Sequence, residues 1–340
     1  MPASKTLLAQ IHRPTPRIIA RLARKLAAGD VVAVPTETVY GLAANAFDAD
    51  ACAKIFRAKG RPRHDPLIVH LYSWRELSQV CQPSDAALKL ARHFWPGPLT
   101  LVLPKQTRVP AIVTAGRPTV AVRVPSHPVF RQLLKQAGLP LAAPSANPFG
   151  YVSPTTAAHV RESLGRKIRH ILDGGPSQIG VESTIVDLRH PEKPVLLRPG
   201  AITAEQIAAV LGRAVASRKQ RGGDSKKSGR GELAPGLLAR HYSPRTPVEL
   251  HAVLPAKRSA QEAYVHLRRP VRAAAAANVF WFHVRAGLPG VASNLFATLR
   301  ELDTRGFRKL HVQLAPEEGL GVAINDRLRR AAAKRVTQRA

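Results

Sequence analysis

The sequence predicts an α/β protein of two domains, the first built on a mixed sheet. Three observations carry the prediction. The chain has 340 residues, and a single domain runs to roughly 150. Short β-branched runs alternate with amphipathic helical periods through the first two thirds, the pattern of layered α/β folds. Residues 217–231, SRKQRGGDSKKSGRG, then interrupt that pattern. They are too polar and glycine-rich to bury themselves, and a second, shorter alternation begins after Pro244.

The elements follow in order. Ile18, Ile19, Leu22 and Leu26 recur at helical spacing, and Gly29 stops that helix. Residues 31–34 read as a short buried strand ending at Pro35, 48–58 as a helix with an acidic start, and 67–71 as a strand. A helix over 86–94 is closed by the Trp95-Pro96-Gly97-Pro98 turn. Strands are predicted at 99–103 and 119–124, a helix at 129–136, strands at 171–172, 184–188 and 195–197, and a helix at 204–211. Beyond the polar stretch, strands are expected at 248–253, 278–284 and 309–314 and helices at 294–302 and 324–333. The boundaries are therefore 10–212 for the first domain, 213–244 for a basic flexible linker that can act as a lid, and 245–340 for a second α/β domain.

Composition narrows the class. Hydrophobic residues make up 45%, enough for real cores. No run approaches the ~18 apolar residues of a membrane helix; the longest, 273–284, is broken by Asn278 and His283. The first 16 residues have no apolar signal region, and two cysteines, Cys52 and Cys81, are too few for a disulfide framework. These points predict a cytoplasmic protein with no membrane partner. The net charge is +30, with 52 basic residues against 22 acidic ones. The excess is spread: residues 1–212 hold 27 basic and 13 acidic side chains, and residues 240–340 hold 18 and 7. Such a field attracts polyanions, although a generally basic surface accounts for much of it.

Standard nucleotide and hydrolase signatures are absent: there is no GxxxxGK[ST], GxGxxG, HExxH or GxSxG. What remains is a set of polar loops beside predicted strands. PTETVYGL at 35–42 brings hydroxyls and a carboxylate to the end of the first strand, where α/β sheets bind ligands. Lys59, Arg61 and Arg63 stand in a loop stiffened by Pro62 and Pro66 and suited to phosphate. His70 ends a strand. Arg123 lies inside TVAVRVP, where a charge must face solvent at an edge or meet an anion. APSAN at 143–147 and SPT at 153–155 allow close approach to the backbone. GVESTIVD at 180–187 carries a glycine that can shape an anion nest, and LRPG ends at Gly200. Each has an ordinary reading as turn chemistry. Together they suggest one cleft for a polyphosphate and a small zwitterion.

In this order these motifs resemble the YrdC-type L-threonylcarbamoyladenylate synthases, and APGLLARHYSP and EEGLG…INDRLRRAA resemble the linker and C-terminal domain of the longer members. The resemblance implies a YrdC-like twisted mixed-sheet domain with a smaller Rossmann-like C-terminal domain. It implies a nucleotidyltransferase that makes threonylcarbamoyl-AMP and pyrophosphate from L-threonine, bicarbonate (or CO2) and ATP with Mg²⁺. The product serves tRNA modification through a threonylcarbamoyl-transferase machinery, and tRNA itself is a further partner that the charge would attract. Position by position, it implies threonine binding by Thr38, His70, Arg123 and Ser183. It implies ATP contacts by Lys59, Arg61, Asp65, Thr119, Ala143, Ser145, Ser153, Arg198 and the linker residue Tyr242. No protein side chain is assigned to a metal. Asp65 departs from the family's usual Asn, and its carboxylate would repel a triphosphate unless Mg²⁺ or Arg63 intervenes. The competing expectation is a non-catalytic basic RNA-binding module, against which stands the 5% aromatic content, too sparse for a stacking platform.

Overall fold

The computed structural model describes residues 8–217, 232–237, 241–270, 276–284 and 287–333. Most of the polar stretch that predicts a mobile linker lies outside the described residues.

The first domain is an eleven-stranded mixed sheet among the described residues, in the order β1-β8-β2-β3-β7-β4-β6-β5-β9-β10-β11. Its strands are β1 Gln10–His12, β2 Val32–Val34, β3 Gly41–Asn45, β4 Ile68–His70, β5 Leu99–Pro104, β6 Thr119–Arg123, β7 Leu141–Ala142, β8 His170–Leu172, β9 Thr184–Asp187, β10 Val195–Arg198 and β11 Ala216–Ser217. The helices are α1 Pro16–Ala27, α2 Ala49–Lys59, α3 Asp85–Phe94, α4 Ala111–Thr114, α5 Pro128–Ala137, α6 Ala157–Leu164 and α7 Ala204–Leu211. Local chemistry sets their ends. The Asp48 side chain accepts from the Asp50 and Ala51 N–H groups and Gly60 closes α2 in the left-handed region. Thr203 and Gln206 form a capping box on α7.

Alternation of side chains sorts the two faces of the sheet. Val69, Leu101, Val120, Val122 and Val186 belong to the main core. Their neighbours Ile68, Val102, Ala121, Ile185 and Leu197 form a separate buried cluster on the opposite face, roofed by Ala234 and flanked by Leu233 and Leu237. The described part of the predicted linker is thus packed on the sheet. At the start of the expected linker, Ala216 pairs with Val195 and Ser217 with Leu196, which makes β11 an edge strand. Edge pairing needs only backbone donors and acceptors, so composition does not reveal it.

The second domain is a four-stranded, all-parallel sheet in the order β12-β15-β13-β14, with β12 Val248–His251, β13 Ala263–Arg268, β14 Val279–His283 and β15 Leu310–Gln313. Helices α8 Leu288–Asp303 and α9 Leu320–Ala332 pack on it. Its core of Val265, Phe282, Leu295, Leu310 and Leu328 is continuous with Val39, Val152, Val181 and Tyr242. The two domains therefore share a hydrophobic interface beside the polar loops.

Candidate functional site

The strands carrying the polar motifs run in opposite directions across β3, β7 and β4, so the motifs meet on one face of the curled sheet and not along a single end of it. There they line a cleft of about 500 Å³, part of it open to solvent, that contains Thr38, His70, Arg123, Ser183, Arg61, Ala143, Ser145, Arg198 and Tyr242. All four expected threonine positions and five of the nine expected ATP positions come together. Lys59, Asp65 and Ser153 stand directly behind the wall. Thr119 shares the face of Arg123 but sits four residues down β6, about 13 Å away, outside the cleft lining.

One pole of the cleft is a charge-paired pocket. Arg123 is 3% exposed in the middle of the sheet. Its Nη2 lies 2.7 Å from Glu37 Oε1, its Nη1 donates to Thr38 Oγ1 at 3.0 Å, and its Nε donates to Gly97 O at 3.2 Å. The buried strand charge therefore meets an anion, the second of the two options read from the sequence. The ion pair lies off the N–H axis, so Nη2 takes part in no hydrogen bond, and neither does Glu37 Oε2. The guanidinium lines the cleft, and a carboxylate entering there would share Nη2 with Glu37. Burial raises Glu37, but the Arg123 guanidinium and the Ser126 N–H outweigh it and hold the carboxyl below its usual range. His70 is pushed down to about 3 by burial and by Arg123. It is a neutral imidazole, with Nδ1 unbonded. Ser183 Oγ shares a 2.7 Å hydrogen bond with Thr100 Oγ1.

The other pole is a cation cluster short of acid. Lys59, Arg61 and Arg198 are 2%, 6% and 3% exposed. Lys59 Nζ donates to Ser145 O at 2.6 Å and also to Asn147 O. Arg61 donates Nη2 to Pro66 O at 2.7 Å. Arg198 donates Nε to Ser183 O and Nη2 to Ser183 Oγ, both at 3.1 Å. Burial and repulsion from Arg61 drive Lys59 well below its ordinary value, burial lowers Arg61, and burial with repulsion from Arg327 lowers Arg198. The carboxylate among them is Asp65, fully buried, with Oδ2 2.9 Å from Arg61 Nη2. Neither of its oxygens accepts a hydrogen bond, and burial pushes its carboxyl up. The intervening cation is Arg61, because Arg63 is exposed.

The lid residue Tyr242 is 1% exposed and has φ +61°, a left-handed conformation that costs roughly 1–3 kcal/mol for such a residue. Its ring is held 4.1 Å from His241 and 5.5 Å from Phe296, centroid to centroid. Its Oη is buried without a partner. Gly236 permits the approach: its φ is +75°, and a Cβ there would stand 2.6 Å from that Oη. Residues not singled out beforehand are Glu37 as the partner of Arg123, Thr100 behind Ser183, His241 beside Tyr242, and Glu182. Only Glu37 had a signal, since a strand arginine asks for an acid and PTETVYGL holds one.

Among the described residues, one further group has metal-ligating side chains together: Glu249, His251 and His311. The His251 Nε2 and His311 Nδ1 atoms are 2.9 Å apart and the ring centroids 5.1 Å apart. That leaves the nitrogens nearly in line between the rings, the arrangement of an N–H···N bond, whereas ligands of one tetrahedral ion converge at an angle. No described helix is long and apolar enough to cross a membrane.

With that geometry in hand, comparison with known proteins is decisive. Residues 24–200 match the family Sua5_yciO_yrdC, described as telomere recombination, and residues 202–333 match the threonylcarbamoyl-AMP synthase C-terminal domain. The chain belongs to the threonylcarbamoyl-AMP synthase family. It is similar to the threonylcarbamoyl-AMP synthase of Pyrococcus abyssi, 41% identical over 320 residues that cover 91% of this chain and 92% of that one. It is also similar to the Bacillus subtilis threonylcarbamoyl-AMP synthase, 40% identical over 330 residues covering 94% of each. The crystal structure of P. abyssi Sua5 complexed with L-threonine matches with a TM-score of 0.84 at 38% identity, covering 95% of this chain and 98% of that one. Both the family and the two-domain α/β architecture expected from the motifs hold.

Proposed function

We propose that this chain makes L-threonylcarbamoyl-AMP and pyrophosphate from L-threonine, bicarbonate or CO2, and ATP, for transfer of the threonylcarbamoyl group to an adenosine of tRNA by a separate transferase. The observation that supports the reading best is the pairing of two poles in one cleft: a buried arginine, balanced by Glu37, that a carboxylate can share, and a buried excess of cations for phosphates.

The neutral amine of threonine adds to CO2 and gives up a proton to solvent, or condenses with bicarbonate and gives up water, to become a carbamate. A carbamate oxygen bonds the α-phosphorus, the bond to the bridging oxygen breaks, and pyrophosphate leaves with that electron pair. No protein nucleophile is needed. Arg123 Nη2 receives the threonine carboxylate, and the hydroxyls of Thr38 and Ser183 are within the same pocket for the amine or side-chain hydroxyl. His70, uncharged, does not compete for the carboxylate. Lys59, Arg61 and Arg198 face the triphosphate and neutralise the charge that builds on the leaving group. Ala143 and Ser145 let the nucleotide approach backbone closely, Ser153 supports the wall through Glu182, and Tyr242 excludes water from a labile mixed anhydride. Thr119 extends the same face beyond the cleft. Mg²⁺ would arrive with the nucleotide and be held by its phosphates, since Asp65, the acid among the cations, is fully buried behind the wall and ion-paired with Arg61. The ion would supply further neutralisation of phosphate charge.

A non-catalytic RNA-binding role is disfavoured, because the cations of the cleft are buried within it and cannot reach a phosphodiester backbone. The test is pyrophosphate release from ATP with each substrate omitted in turn. Omission of threonine or of bicarbonate abolishes release. Full-rate splitting of ATP to AMP and pyrophosphate without threonine overturns the mechanism.

A further inference from the structure

The C-terminal domain reaches the cleft through both of its helices: from α8, Arg300 donates to Val152 O and Ser153 O, and a glycine contact and α9 do the rest. Gly180 has φ +79°, and a Cβ there would stand 2.3 Å from Ala292 O, so the loop bearing Glu182 and Ser183 lies directly on α8. From α9, Arg327 enters the first domain with 1% exposure. It donates Nε to Glu182 Oε2 at 2.8 Å, Nη2 to Glu182 O at 3.2 Å and Nη1 to Pro199 O at 2.9 Å. Glu182 Oε1 in turn accepts from Ser153 Oγ at 2.6 Å. The guanidinium also stands 5.5 Å from the Tyr242 ring centroid. One turn on, Arg330 O accepts from His241 N and from Ser243 Oγ, both at 3.3 Å. A single helix thus fixes the residue before Ser183, the residue after Arg198, and both neighbours of Tyr242.

A buried ion pair is weak evidence for stability, since apolar replacements of the same shape are often neutral or better. Here each donor of Arg327 that crosses the interface lands beside a residue of the cleft. Resting on the synthase reading above, we propose that Arg327 is a positioning residue of the reaction: through Glu182 and Pro199 it sets Ser183 and Arg198 against the two substrates. The C-terminal domain is on this account part of the catalytic unit.

The test compares Arg327→Met, Arg327→Lys and the charge-neutral pair Arg327→Met with Glu182→Gln, all in the full chain. Threonine KM and kcat are read from pyrophosphate release, threonine affinity from calorimetry with a non-hydrolysable ATP analogue, and folding from thermal melting. Arg327→Met and the double variant should both stay folded at the assay temperature and raise the threonine KM and Kd at least about tenfold. Arg327→Lys, which keeps the charge but not the three-pronged geometry, should recover less than half of the loss. A folded double variant with the unaltered chain's threonine KM overturns the proposal, because the guanidinium would then serve only to balance Glu182. So does Arg327→Met with unchanged threonine affinity. If Arg327→Met does not fold, the double variant and Arg327→Lys decide by the same criteria. Failure of the synthase reading is seen separately, as no pyrophosphate release from the unaltered chain.

Discussion

The two poles of the cleft solve the problem of buried charge in opposite ways. At Arg123 the charge is balanced inside the protein by Glu37, so the pocket is close to neutral and a zwitterion can enter it without changing the sum. At Lys59, Arg61 and Arg198 the balance is left incomplete, with Asp65 as the internal acid, and a polyanion completes it. Charge parity selects an amino acid, and charge deficit selects a nucleotide. Four interventions test this contrast.

The largest effect is expected at the balanced pole. Arg123→Ala removes the carboxylate's partner and strands Glu37 in the interior. Losing one member of a desolvated pair costs about 2–5 kcal/mol, so threonine affinity should fall by about thirtyfold to several thousandfold while ATP affinity moves far less. Arg61→Ala should reverse the order and weaken ATP about tenfold, because Lys59 and Arg198 remain. Calorimetry with each substrate checks both; equal losses for the two substrates in either variant would erase the distinction between poles.

Acid should strain both poles together. His70 at one and His241 at the other are held neutral, mainly by burial, and His127 and His159 are lowered for the same reason. Below pH 6.5, the ordinary histidine value, the unfolded chain takes up protons on these imidazoles and the folded chain does not. The stability they contribute is complete above pH 6.5 and is lost as pH falls, through His159 at about 4 and His70 at about 3. Asp65 opposes the trend, since burial raises its carboxyl and lets it take up a proton at higher pH in the folded than in the unfolded chain. Melting temperatures between pH 7 and 4 should decline steadily; a flat profile would mean that these imidazoles are not buried neutral.

The smallest effect is the most diagnostic. Tyr242→Phe deletes a buried hydroxyl that bonds to nothing in the protein. Leaving such a group unsatisfied is costly, so its removal should leave the melting temperature unchanged or slightly raised. If the hydroxyl serves the nucleotide, the ATP KM should nonetheless rise a few-fold. A drop in stability with no change in KM would assign Tyr242 to packing alone.

Much of this was legible in the sequence. Capped amphipathic helices such as α2 and α7 and the β-branched strands β5, β6 and β9 announce themselves through periodicity. Strand β3, GLAAN, does not, because glycine and alanine are poor strand formers and the segment is made a strand by pairing with β2 and β7. Nor does β13, AYVHLR, a central strand whose charged and imidazole side chains blur its alternation. The buried-strand charge of Arg123 and the stiff cationic loop at Lys59 and Arg61 stand out in the sequence, whereas roles for Thr38, His70, Ser183 and Tyr242 come from the family resemblance of the motifs. Glu182 and Arg327 are different. They lie 145 residues apart, each sits in an unexceptional polar segment, and only the docking of the two domains makes them partners.

The Arg198 contacts have one further consequence. The same guanidinium that faces the phosphates donates to both the carbonyl and the hydroxyl of Ser183. Whatever draws Arg198 toward a phosphate changes what Ser183 can offer to threonine. Affinities linked this way are reciprocal: the factor by which ATP alters threonine binding must equal the factor by which threonine alters ATP binding. Two titrations, run in either order of addition, should close the same thermodynamic cycle, and replacing Ser183 with alanine should bring the coupling factor toward one.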